Sequence, residues 1–162
     1  MKISNALPSL SKQKGLASVE LALATPFLLV LMFVSAEFTR VFYDYNTLTK
    51  GVRDAARFMA EDAFTAANTF EMTNADIASA KNIVVFGSLN GGGAPLLDGL
   101  DIDQVQVTQV NLGNPPFEQE HIEVTVDYPY TGMRQFIAAM SFLSQDISLN
   151  FTLTATSTMR GL

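Results

Sequence analysis

A single carboxylate, Glu20, stands inside a run of 21 residues, 16–36, that carries no other charge. A carboxylate at the centre of a membrane helix costs about 2.5–3.5 kcal/mol on insertion scales, and less near an end. Its position therefore has two readings. At the interface beside Lys14 it would sit close to water at little cost. Within lipid it needs a cationic partner, and its chemistry is then charge pairing.

Residues with more familiar chemistry form no convincing set. There is no Cys, so disulfides, thiol nucleophiles and thiolate metal sites are excluded. The one histidine, His121, opens an alternating segment between Glu120 and Glu123 and reads as a solvated edge residue. Ser11-Lys12-Gln13-Lys14 spells S-x-x-K, but a polar leader cannot hold a nucleophile and base in geometry. Gly91–Gly93 lacks the following Gly-Lys-Ser/Thr of a phosphate loop. Asp98, Asp101 and Asp103 could crowd a cation, yet their spacing misses the EF-hand loop. Asn150-Phe-Thr152 matches a glycosylation sequon placed in the middle of an alternating strand. The chain reads as a non-enzyme with no cofactor.

The elements around Glu20 say more. Hydrophobic residues make up 48% of the 162 and charged ones only 16%, against roughly 25% charged in an average soluble domain. The excess is gathered in residues 16–36, which as a helix rising about 1.5 Å per residue would span roughly 31 Å, the thickness of a hydrocarbon core. Pro26 lies inside this run and would bend it locally. Ahead of it, residues 1–15 form a polar leader whose charges, Lys2, Lys12 and Lys14, are all positive. Removing those three from the ten basic residues leaves seven against sixteen acidic ones, a net of −9 for the remainder. A basic head before an apolar run places the N-terminus in the cytoplasm and the acidic body, 37–162, outside the inner membrane. The same acidity argues against nucleic acid as a partner.

Beyond the span, Phe38, Val41, Tyr45, Leu48, Val52, Ala55 and Met59 recur at spacings of three and four, one apolar stripe of a helix. Lys50–Asp54 and Arg57–Glu61 are opposite charges four apart on it. One helix from about Leu16 to about Glu61 is expected, half in lipid. Thr73–Asn82 predicts a short helix capped by Thr73 or Asn74, and "NIVVFG" a buried strand. "DQVQVTQV" alternates through Val105 and Val107 until Val110 breaks register, a break that a bulge would produce. "HIEVTVDY" alternates through Ile122, Val124, Val126 and Tyr128, and "ISLNFTLTA" through Ile147, Leu149, Phe151 and Leu153. Between them "MRQFIAAMSFLS" reads as a short helix. The expected fold class is α+β, with the long helix packed against a small antiparallel sheet.

"G-LASVE", with Gly15 five residues before Glu20, is similar to the type IV prepilin signal. "VELALATPFLLVLMFVSAEFTR" followed by "YDYNTLTKGVRDAARFMA" resembles the TadE-like family of the tight-adherence (Flp) pilus system. The residues that carry the likeness are Glu20, Pro26, Glu37-Phe38-Thr39-Arg40 and Asp54-Ala55-Ala56-Arg57. Later segments, "AKNIVVFG", "APLLDGL", "VTVDYPY" and "LTATSTMR", add weaker likeness, and Leu21 and Phe86 depart from residues common in the family. The resemblance implies a pilin-like pseudopilin cut by a prepilin peptidase between Gly15 and Leu16. The new amine on Leu16 would lie one helical turn from Glu20, and a neighbouring subunit's amine could neutralise that carboxylate in lipid. The implied partners are the prepilin peptidase, other pseudopilins, the major Flp pilin, the inner-membrane assembly platform and membrane lipid. The implied role is to build a bacterial pilus that serves adhesion, surface attachment and biofilm formation.

A rival signal is present in Val34-Ser35-Ala36, which satisfies the small-x-Ala rule of secretory signal peptidase. Cleavage after Ala36 would release a periplasmic binding module. Glu20 and the length of the apolar run speak against that.

Overall fold

A computed structural model of the chain describes residues 13–62, 72–113, 119–132 and 151–160. Most of the leader, the expected helix at 133–144, and Ile147, Leu149 and Asn150 lie outside the described residues. The chain divides between Phe38 and Thr39 into two compact units, and helix α1, Gln13–Asp62, contributes to both. The fold is α+β, a long N-terminal helix packed against a three-stranded antiparallel sheet, as the apolar periodicities required.

The first unit is the apolar start of α1, with Pro26 inside the helix. Two hydroxyls in this stretch are satisfied by the helix itself. Thr25 Oγ1 donates to the Leu21 carbonyl at 2.7 Å, and Ser35 Oγ to that of Leu31 at 2.8 Å. Back-bonding of this kind lets a hydroxyl enter an apolar medium without an orphan donor.

In the second unit the C-terminal part of α1 supplies one wall of the core. Leu48, Val52, Ala55, Ala56, Met59 and Ala60 are buried there, while Val41 is half-buried. The expected stripe is therefore right from Leu48 to Met59 and wrong at its start, because Phe38 and Tyr45 are exposed. Arg57 and Glu61 close to 3.9 Å on the exposed side, whereas Lys50 and Asp54 do not. At this exposure the pair contributes little.

Helix α2 spans Asn74–Phe86 and begins at a capping box: the Thr73 hydroxyl accepts from Asp76 N at 3.2 Å while Asp76 Oδ2 accepts from Thr73 N at 3.1 Å. The helix runs four residues past its expected end and absorbs the apolar run read as a strand. Ile83, Val84, Val85 and Phe86 are helical, with Val84 and Val85 buried. A run this short has no period of its own, and a well-capped helix extends through it. What stops it is Gly87, in the left-handed conformation at φ 70°, whose N–H donates to the Ile83 carbonyl at 2.9 Å.

Strands β1 (Val105–Leu112), β2 (Gln119–Tyr130) and β3 (Phe151–Arg160) follow in the order β1-β2-β3. Along β2, Ile122, Val124, Val126, Tyr128 and Tyr130 are buried, so one face is sealed against the helices. On β3 the alternation continues past its expected end at Ala155, which is buried, to a half-buried Met159. The expected bulge in β1 is absent. Its register with β2 runs unbroken from Val105↔Val126 to Leu112↔Gln119, and Val110 turns outward opposite His121. Keeping the ladder intact outweighs hiding one valine that is already half-covered on the outer face. Elsewhere that face is polar: Thr125 and Thr156 hydroxyls meet at 3.0 Å, and Thr154 Oγ1 donates to Asp127 at 2.6 Å.

Candidate functional site

The residues singled out around the leader all fall on α1. Gly15 is the third residue of the helix, is exposed, and has nothing within 4 Å of where a Cβ would stand. Leu16 is 72% exposed. Glu20 is exposed one turn further on, and among the described residues none forms an ion pair with it.

Around Glu20 the apolar surface is uncovered. Leu21, Leu23, Phe27, Leu28, Leu31 and Met32 are each more than half exposed. Soluble monomers rarely leave a contiguous apolar patch of this kind uncovered, and its presence marks a membrane or protein contact. The helix is long and apolar enough to cross a membrane, with a mean hydropathy of 2.1 over its most apolar 18 residues. It is a candidate membrane anchor.

A second arrangement lies within the Thr39–Leu162 unit. Arg40 and Asp44 of α1, Asp98 of the loop before β1, and Tyr128, Tyr130 and Thr131 at the end of β2 wall a cleft of about 280 Å³. The loop is tied down: Gln104 Nε2 donates to Gly99 O at 3.2 Å, and Tyr128 OH donates to Asp98 O at 2.7 Å. Burial, and after it the charges of Asp44 and Asp98, push the Tyr128 hydroxyl above its ordinary value of 10.0. On the far side, Tyr130 stacks against Phe151 with ring centroids 5.0 Å apart.

The sequence showed the parts of this cleft separately. Tyr128 was placed on the inward face of its strand, Arg40 in the E-F-x-R stretch and Asp98 in an acidic cluster. Asp44 was missed, although it lies one helical turn after Arg40, and Tyr130, two residues after Tyr128, shares its face of the strand.

The acidic cluster itself has a structural use. Asp101 caps the short 3-10 helix Ile102–Gln104, its carboxylate accepting from Asp103 N at 3.3 Å. Among the described residues no group of three or more His, Asp or Glu is placed to hold a metal ion. His121 is not at an edge: it lies on the central strand, between Val110 and Arg160 in register, and is half-buried. The expectation of an edge residue failed because β2 pairs on both sides at that point.

Residues 15–57, about a quarter of the chain, match the family model of TadE-like proteins, and over that segment the chain is similar to them. This family points to the Tad pilus system and to contact with its other components. No curated protein and no solved structure matches the chain.

Proposed function

We propose that the chain is a pseudopilin that helps to assemble a tight-adherence pilus, with a structural rather than a catalytic role. One observation carries the reading. The TadE-like match begins at Gly15, and Glu20 follows it within an exposed apolar helix long enough to span a bilayer. Prepilin peptidase would cut between Gly15 and Leu16, leaving an amine about 6 Å along the helix from Glu20. In an assembling pilus, the amine of a neighbouring subunit would neutralise the Glu20 carboxylate in lipid and set the register between subunits. Pro26 would let the helix bend where it meets those neighbours.

The Lys-rich leader supports a cytoplasmic N-terminus and an outer domain beyond the inner membrane. Through the pilus the protein would serve adhesion and biofilm formation. Release by secretory peptidase after Ala36 fits less well, because Ala36 and Glu37 lie in the middle of the unbroken helix while Gly15 lies in its first turn.

The test is the N-terminal residue of the mature protein recovered from membranes, with a Gly15→Ala variant beside it. A start at Leu16 that the variant blocks supports the proposal. A start at Glu37 removes the anchor and overturns it.

A further inference from the structure

We infer that the cleft between Arg40, Asp44, Asp98, Tyr128, Tyr130 and Thr131 binds a phosphoethanolamine-type zwitterion, the headgroup of a phospholipid in the membrane that the anchor enters. The inference rests on the membrane-anchor reading above. Its grounds are charge, size and reach.

One arginine and two aspartates are among the residues that line about 280 Å³ of cleft. A lone anion would meet Asp44 and Asp98; a lone cation would meet Arg40. A molecule carrying both charges a few bonds apart meets each with its opposite. Arg40 offers the planar donor fork suited to a phosphate, and the Thr131 hydroxyl can add a donor. At the other end, an ammonium with three N–H groups suits carboxylates. Tyr128 OH donates to the Asp98 carbonyl at 2.7 Å, which holds the loop that carries Asp98 at this cleft.

Reach comes from position along α1. Arg40 is four residues past Ala36, the end of the uncharged run, and four residues extend at most about 14 Å. A headgroup layer is about 5–7 Å deep on each side of the hydrocarbon. Residues 36–40 are helical in α1, so Arg40 lies about 6 Å along the helix past Ala36, within the depth of that layer where the run ends at the hydrocarbon edge. Tyr43 on the same stretch is 67% exposed, an amphipathic aromatic of the kind that membrane interfaces favour.

The experiment uses the full chain in lipid-free detergent micelles, titrated with short-chain phosphatidylethanolamine and followed by ³¹P NMR. Phosphatidylcholine, phosphatidylglycerol and inorganic phosphate serve as comparisons. The expected result is saturable binding of the ethanolamine lipid, at least about tenfold tighter than each comparison. Choline lacks the N–H donors, glycerol the positive charge, and phosphate alone both. Arg40→Gln and Asp98→Asn, at exposed positions, should each weaken binding about tenfold while circular dichroism stays unchanged. Equal affinity for all headgroups, phosphate binding as tightly as the lipid, or variants without effect would overturn the inference.

Carbonate extraction of cell membranes separates this from the anchor reading. A chain that stays in membranes but shows no headgroup preference sinks the cleft alone. A chain released by carbonate sinks the anchor, and with it the lipid as source. Water-soluble glycerophosphoethanolamine then decides whether the zwitterion site survives.

Discussion

A Cβ placed on Gly51 would stand 3.3 Å from both the Cα and the carbonyl oxygen of Val84, so the glycine is what lets α1 and α2 touch backbone to backbone. Both residues are buried, and the contact joins the two helical walls of the core. Gly51 is tolerated inside a helix, at about 1 kcal/mol relative to alanine, because the close approach needs it.

Gly51→Val should therefore destabilise the outer domain. Two branches added where a single Cβ is already tight must push the Val84 backbone away, at a cost of about 1–3 kcal/mol. Thermal unfolding of the full chain in detergent would show a lowered Tm. An unchanged Tm would mean that the helices separate freely at this point.

Tyr128 predicts an alkaline limit. Its folded pKa is raised above 10.0, by burial first and by Asp44 and Asp98 after it. Between the unfolded and folded values the unfolded chain has lost the proton and the folded chain has kept it. The contribution of Tyr128 to stability is thus fully present below pH 10 and is lost as pH rises through the folded pKa. Urea unfolding on either side of pH 10 should give a steeper loss in the native chain than in Tyr128→Phe. Below pH 10 that variant should be less stable by about 1 kcal/mol, the worth of the hydrogen bond to the Asp98 carbonyl. Parallel pH profiles for the two proteins would refute the assignment.

How far the sequence reveals this molecule depends on whether a signal is local. The period-two pattern of Ile122, Val124, Val126 and Tyr128 fixed β2 and its buried face correctly, because alternation is a property of the strand itself. The stripe from Leu48 to Met59 did the same for α1. "IVVFG" failed because four apolar residues fit either period, and the decision came from Thr73 and Asp76, about ten residues away. Val110 failed for a related reason: which face an apolar residue takes depends on the neighbouring strand. The cleft joins α1, a loop and β2, so only the fold brings Arg40, Asp44 and Asp98 to Tyr128.

Thr73 offers a direct measure of the cap that overrode the strand pattern. Its hydroxyl accepts from Asp76 N, and Asp76 returns the bond to Thr73 N. Thr73→Ala removes the first bond and should cost about 1 kcal/mol. Hydrogen exchange should quicken in the first turn of α2, at Asp76 and Ile77, before it does at Val84 and Val85. Uniform acceleration along the helix would instead mean that α2 opens as one piece and that its cap has no local role.

Glu20 gives the sharpest separation of processing from assembly. The carboxylate is exposed on α1, a full turn beyond Leu16, and no described residue forms an ion pair with it. Glu20→Gln keeps the size of the side chain and removes the charge that a subunit amine would meet. It also lowers the cost of entering lipid, so anchoring should be preserved or strengthened. The expected outcome is a variant that still starts at Leu16 and still fractionates with membranes, yet fails to co-purify with pilus components. Crosslinking and electron microscopy of pili would read that loss. If piliation and co-purification match the native chain, Glu20 is an interfacial residue held near Lys14, and register between subunits is set elsewhere.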